Sequence, residues 1–323
     1  MPLKDIESAE VTCLVDNSVD ILLSNTKVAF RPYLNENWFV HPLIAEHGFC
    51  AAIKLQVNGT EHRLLFDSGL DPLAASHNVG VLGLDLSNCE LVISSHGHID
   101  HAGGLLNIKR KINEKKEKQK LKQKQEQKPP LVLHKDAFKN RLVKFQDGRH
   151  ISLPAPNRAD LIKAGYNLVK KQSPSLWIED GILVTGEIPR TNDFEKGFPN
   201  HYSEIDGKME NDPVIKDDQA IILSIKDKGL VVITGCAHAG IINIIKYAKE
   251  LSREDRIYGV IGGMHLSGGA FEPLIPRTID ELEQMKPRFI IPCHCSGLKA
   301  VTEIAKDMPN AFIQNSVGTN YIF

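Results

Sequence analysis

The run Ser95-His96-Gly97-His98-Ile99-Asp100-His101 constrains this chain more than any other feature. It packs three imidazoles and a carboxylate into six residues, directly after the apolar stretch Glu90-Leu91-Val92-Ile93. Burying that many polar groups without partners is costly. Imidazole nitrogen and carboxylate oxygen are ligands of a borderline cation such as Zn²⁺, and one tetrahedral site takes at most three of them plus a water. Four ligand-type side chains from one loop therefore suggest two neighbouring ions, an arrangement suited to activating water and clamping a hydrolysable bond. In extended backbone, residues two apart point the same way, so His96 and His98 are expected to grip one ion. Asp100 and His101 lie past a turn, where Ala102-Gly103-Gly104-Leu105 begins a helix-like segment, and are expected to face the second. Gly97 and Gly103-Gly104 let the backbone crowd the site.

The same layout recurs. Gly229-Leu230-Val231-Val232-Ile233-Thr234 reads as a buried strand and runs into Gly235-Cys236-Ala237-His238-Ala239-Gly240 and a helix. Arg256–Ile261 runs into Gly262-Gly263-Met264-His265, and Arg288–Pro292 into Cys293-His294-Cys295-Ser296-Gly297 and a helix to about Asp307. Ile182–Thr185 precedes Gly186-Glu187, and Arg63–Phe66 precedes Asp67-Ser68-Gly69. Strand ends are where loops of layered α/β proteins converge on a site, so six such ends on one rim build one site. Strand–helix alternation beside hairpin-like stretches near residues 11–66 predicts mixed sheets flanked by helices. Two similar halves would sandwich the metals at their seam, as a single unit over residues 1–323.

A net charge of −1 gives no global pull toward nucleic acid or an anionic membrane. The N-terminus lacks the pattern of a signal peptide, and no apolar stretch is long enough to span a bilayer. The six cysteines are scattered rather than framed for disulfides, so reduced thiols and a cytoplasmic location are expected. From Lys109 to Lys128 the chain is almost wholly Lys, Gln and Glu. It reads as a solvated insertion at about 109–130, partly helical at most, without the aromatic residues that stack on bases.

His96-Gly97-His98-Ile99-Asp100-His101 resembles the metal motif of the metallo-β-lactamase superfamily. Ala45-Glu46-His47-Gly48-Phe49, Phe66-Asp67-Ser68-Gly69, Thr234–Ile241, Gly262–Leu266 and Pro292–Gly297 narrow the likeness to its dihydropteroate-synthase-like branch. Members of that branch are commonly named 7,8-dihydropterin-6-yl-methyl-4-(β-D-ribofuranosyl)aminobenzene-5′-phosphate synthases. The resemblance implies an αβ/βα sandwich of four layers, two mixed sheets with outer helices, and a mono- or dinuclear site of Zn²⁺, with Mn²⁺ or Fe²⁺ as alternatives. It implies that His96 and His98 bind the first ion, that Asp100, His101 and His294 bind the second, and that Asp67 orients an imidazole from behind. His98 and Asp100 are the residues expected to carry the chemistry.

Two departures stand out. The family's third ligand of site one is missing between the first motif and a bridging aspartate; only His134, His150 and His201 fall in that interval, and none ends a strand beside glycine. The bridging aspartate is itself replaced by Cys236. His238 is the expected substitute ligand, with Glu187 a weaker alternative. Cys236 reads as a bridging thiolate or as a small buried thiol. His265 reads as a contact to substrate or metal, or as a structural histidine. His47 lines or supports the pocket, Cys293 and Cys295 pack, Arg190 reads as a contact to an anionic substrate or, by default, as a surface residue, and His41, His62 and His77 carry no signal. The expected activity is metal-dependent, either hydrolysis of an ester, lactone, amide or phosphoester, or transfer to a pterin-type substrate. A small anionic, pterin-like or phosphorylated molecule is the expected partner. The alternative is a non-catalytic, metal-stabilised binding module.

Overall fold

The computed structural model describes residues 1–33, 40–119 and 129–323. Two sheets stack face to face. The N-terminal sheet has eight strands in the spatial order Asn167–Lys170, Pro130–Leu133, Cys89–Ile93, Thr60–Asp67, Cys50–Val57, Ser8–Val15, Asn320–Ile322, Ala29–Phe30. The second has seven, in the order Ser175–Trp177, Ile182–Val184, Ala220–Ile225, Gly229–Thr234, Ile257–Gly263, Phe289–Cys293, with Asp5–Ile6 pairing beside Ala220–Ile225. Parallel and antiparallel pairs mix in both. The last strand, Asn320–Ile322, returns to the N-terminal sheet and pairs with Ser8–Val15.

The side-chain period of two explains the layers. In Gly229–Thr234, Val231 and Ile233 enter the core between the sheets with Ile53, Leu55, Phe66, Ile93 and Ile291. Their neighbours Leu230 and Val232 face outward, beneath the helices Ile241–Ser252, Ile275–Met285 and Gly297–Asp307. On the far side, Leu65, Val92 and Leu131 pack beneath Ala74–Val81, Leu105–Gln119 and Arg158–Lys163. Both faces of each central strand are covered, which is why these strands read as unbroken apolar runs. The result is the expected four-layer sandwich.

Two features depart from the sequence reading. A third, four-stranded antiparallel sheet, Lys208–Asn211, His201–Ile205, Arg141–Lys144 and His150–Leu153, lies outside the sandwich. Its first hairpin turns on Asp206-Gly207, both at positive φ (49° and 77°), the two-residue signature of a type I′ turn. The Lys-rich run is also not solvated from its start. The helix Leu105–Gln119 carries its apolar stripe on through Ile108 and Ile112, both fully buried, and Lys109 lies over the Tyr166 ring. Residues 120–128 of that run lie outside the described residues. Among the described residues, no helix is long and apolar enough to cross a membrane.

Candidate metal centre

Strand ends from both sheets converge on one buried cluster. The loop after Cys89–Ile93 supplies His96, His98 and, from the short helix Ile99–Ala102, Asp100 and His101. Gly229–Thr234 ends in the loop carrying Cys236 and His238, and Phe289–Cys293 leads straight into His294. Donor atoms of Asp100, His101, Cys236 and His294 all lie within 4.8 Å of one another, as do those of His96, Cys236 and His238. His98 joins the second group through its Nδ1, 3.2 Å from His238 Nε2. The Cys236 thiol is common to both groups and stands 3.1 Å from His101 Nε2. Among sequence-predicted ligands, His96, His98, Asp100, His101, His238 and His294 are thus brought together, with Cys236 at the shared vertex.

Glu187 is not in either group. It pairs with His134, 3.2 Å from that ring's Nε2, so this weaker alternative for site one is engaged outside both ligand groups. His150 is exposed. Arg190, expected at the surface, is instead partly buried, and its guanidinium donates to the carbonyls of Ile188 and Val214. His62 pairs with Glu90, and His77 Nε2 meets the Pro42 carbonyl at 2.8 Å. Cys293 packs in the inter-sheet core. Cys295 lies near Cys236 and His265, forming a third group of potential donors. His265 sits 4.2 Å from the His238 ring and 4.3 Å from Phe271, beside site one. His47 lies over site two, 3.8 Å from Asp100 Oδ2 and 4.7 Å from the His294 ring, with its side chain 64% exposed. His47 and Asp100 thus reach solvent on this side of the cluster.

Hydrogen bonds behind the cluster dictate where the protons sit. Asp67 is fully buried; its Oδ1 accepts from the Ser95 N–H at 2.6 Å, and its Oδ2 from the Ser95 hydroxyl at 2.7 Å. Because that hydroxyl proton points at Asp67, Ser95 Oγ receives the Nδ1–H of His96 at 2.9 Å. The His96 Nε2 lone pair is then left bare. Asp67 also accepts from His101 Nδ1 at 2.7 Å, turning His101 Nε2 toward Cys236. One carboxylate thus orients one ring of each ligand group, as the resemblance implied for a single imidazole. Buried His96 Nε2 has no hydrogen-bond partner, an uncommon condition for a buried nitrogen, and buried His294 Nε2 meets the Asp100 carboxylate at 3.3 Å. Both residues belong to groups of clustered donors, so the donor set fits a metal cation.

Electrostatics agree with this fit. Burial, then neighbouring imidazoles, push His96, His98 and His238 well below the usual histidine range; neutral rings have lone pairs to offer. Burial opposes ionisation of Asp100, but His101 and His294 outweigh it and hold the carboxyl well below the usual range. Burial also works against His101, yet Asp100 and Asp67 raise it to about 9. The negative charge that attracts a proton there would attract a cation equally.

The scaffold explains the crowding. A Cβ on Gly97 would meet the Ala137 carbonyl oxygen at 2.1 Å, and one on Gly235 would meet Ser95 Oγ at 2.2 Å. Asp67, Ala237, His265 and His294 all hold positive φ between 47° and 59°, conformations that persist only where surroundings impose them. His294 is held by Asp16, which accepts its N–H at 2.6 Å, and by Asn17, which donates to its carbonyl at 3.0 Å. The metal loop is held by Asp217, which accepts the Gly97 N–H at 2.8 Å and pairs with buried Arg141 at 2.7 Å. Sequence reading missed Asp16, Asn17, Ser95, Arg141 and Asp217, and it set His201 aside as ending no strand beside glycine. Only Ser95 carried a local signal, through its place inside the motif.

Two stacked mixed sheets with a histidine–carboxylate cluster at their shared rim define an α/β sandwich with a candidate metal site. The metallo-β-lactamase superfamily model matches residues 47–251, and the chain belongs to that superfamily, as an enzyme of its fold. A protein of Methanocaldococcus jannaschii named 7,8-dihydropterin-6-methyl-4-(β-D-ribofuranosyl)-aminobenzene-5′-phosphate synthase is 28% identical over 279 residues, covering 84% of this chain and 88% of its own length. An uncharacterised protein of the same organism is 31% identical over 288 residues, covering 88% and 96%. Among solved structures, Tm1679, described as a metal-dependent hydrolase of the β-lactamase superfamily, superposes with a TM-score of 0.69 at 23% identity, over 97% of this chain and 98% of that one. This last likeness bears on the fold.

Proposed function

We propose that this enzyme uses two divalent cations, zinc in the first instance, held by His96, His98 and His238 and by Asp100, His101 and His294. Cys236 is the shared ligand in place of a bridging carboxylate. The observation that carries the reading is the meeting of both ligand groups at one thiol, with His96 Nε2 buried and without a hydrogen-bond partner and His294 Nε2 turned to the Asp100 carboxylate at 3.3 Å. Imidazole with a thiol favours zinc over a hard, oxygen-seeking cation. Bound there, the ions would supply Lewis acidity for a leaving group and would lower the pKa of water.

The protein's own contribution is positional. Asp67 and Ser95 hold His96 and His101 as acceptors rather than donors. Asp100, with its side chain 19% exposed, keeps its negative charge at the mouth. His47 stands there to contact a small anionic substrate. The chemistry proposed is transfer on a pterin-type or phosphorylated substrate, which the name of the archaeal relative supports; hydrolysis of an ester or lactone is the competing use of the same residues. Purified protein should contain two zinc equivalents by plasma emission spectrometry and turn over a pterin methyl pyrophosphate with an aminobenzene acceptor. Turnover of esters or lactones with none on the pterin substrate would replace the transfer reading. Failure to hold any zinc, manganese or iron would remove both.

A further inference from the structure

His201 lies at the start of the strand His201–Ile205, in the outlying third sheet, 103 residues beyond His98 in sequence. It is fully buried. Its Nδ1 stands 2.8 Å from the backbone carbonyl of Asp212, and its Nε2 stands 3.1 Å from His98 Nε2. The other ring nitrogen of His98, Nδ1, faces His238 Nε2. His201 belongs to neither ligand group and touches the cluster from outside.

The direction of this chain is forced from its outer end. A carbonyl oxygen can only accept, so His201 Nδ1 carries the proton. In a neutral imidazole Nε2 is then the acceptor, and the N–H between the two rings must belong to His98 Nε2. His98 Nδ1 is left as a lone pair that faces His238 Nε2 in site one. Asp212 is itself fixed, since its N–H donates to the His201 carbonyl at 2.9 Å and its carboxylate accepts from Ser203 Oγ at 2.6 Å. Asp212 and His201 are thus tied to each other by backbone.

We infer that His201, backed by the Asp212 carbonyl, is a positioning residue: it selects the His98 tautomer that coordinates through Nδ1, and the third sheet serves to deliver it. This inference rests on the two-ion reading. Metal ligands of this kind are commonly oriented by such outer hydrogen bonds, whose loss weakens affinity about 10–100-fold.

The test is Zn²⁺ titration of the full chain against a chromophoric chelator. Wild type should take two tight equivalents. His201→Leu should weaken one of them about 10–100-fold and leave the other in place. His201→Gln, whose amide can donate to the carbonyl and accept from His98, should recover most of the loss. Two unaltered equivalents in His201→Leu, or His201→Gln as defective as the leucine variant, would overturn the assignment. Long-range ¹⁵N–¹H spectra of zinc-loaded wild type check it without any variant: the proton should sit on His98 Nε2 and on His201 Nδ1. A proton on His98 Nδ1 would refute the relay. Wild type with no tight equivalent would instead sink the two-ion reading and this inference with it.

Discussion

Asp67→Asn is the most informative single change, because the side chain belongs to neither ligand group and yet should govern both. The substitution keeps the volume, and asparagine tolerates the left-handed backbone (φ 59°) about as readily as aspartate. Backbone strain therefore drops out of the comparison. Three donors converge on Asp67: the Ser95 N–H, the Ser95 hydroxyl and the His101 Nδ1–H. The amide offers one acceptor oxygen, so either both donors on Oδ2 meet an NH₂ group or, with the amide flipped, the Ser95 N–H does. Charge-assisted hydrogen bonds contribute about 1.5–3 kcal/mol each, and a buried donor left unmade costs about 1–3 kcal/mol. A loss of about 3–5 kcal/mol of stability in the metal-free protein follows. Ser95 would turn its hydroxyl toward His96 Nδ1, moving the His96 proton to Nε2, while His101 would lose the acceptor that fixes its tautomer. Each outer-bond loss weakens metal affinity about 10–100-fold, here at both equivalents. Ser95→Ala, by contrast, should weaken only the equivalent held by His96. Calorimetric zinc titration and urea unfolding of the three proteins are the assay. If Asp67→Asn binds both ions as tightly as wild type, or loses only one, proton placement through Asp67 is wrong.

His238→Ala should remove one tight zinc equivalent, whereas His134→Ala should leave both, because His134 is committed to Glu187; stoichiometry by chelator competition decides this. Gly235→Ala should destabilise the protein by about 1–3 kcal/mol through overpacking against Ser95 and lower zinc affinity as well; a variant with wild-type melting and binding would contradict the packing. In metal-free protein His101 has its pKa raised to about 9 from 6.5. A raised folded-state pKa gives stability that is complete below pH 6.5 and lost as pH climbs toward 9. Between pH 7 and 9 that loss should be about 2 kcal/mol with chelator present and should vanish with zinc bound. Urea unfolding across this range, with and without zinc, measures it; equal slopes in the two states would refute the role given to His101.

The two-ion hypothesis could be written from residues 96–101 alone, because ligand chemistry is a property of side-chain type and the loop holds four such groups within one turn of chain. The layered core was legible for a similar reason: strands covered on both faces read as continuous apolar runs, and Gly229–Thr234 is one. His238 and Cys236 were visible as ligand-type residues at a strand end. The third sheet was not read, since strands such as Lys208–Asn211 are exposed on both faces and leave no hydrophobic period.

Sequence by itself therefore determined which atoms are available to a cation and which segments must be buried. Only the tertiary structure decided which of those atoms are free to bind. His134 and His201 look alike in the chain, but one is paired with Glu187 at the rim and the other stands behind His98. The direction of each proton depends on a distant acceptor: Asp67 for His96 and His101, the Asp212 carbonyl for His201. Hydrogen-bond polarity is set by the whole network around a ring, and that network is assembled only when strands from opposite ends of the polymer meet.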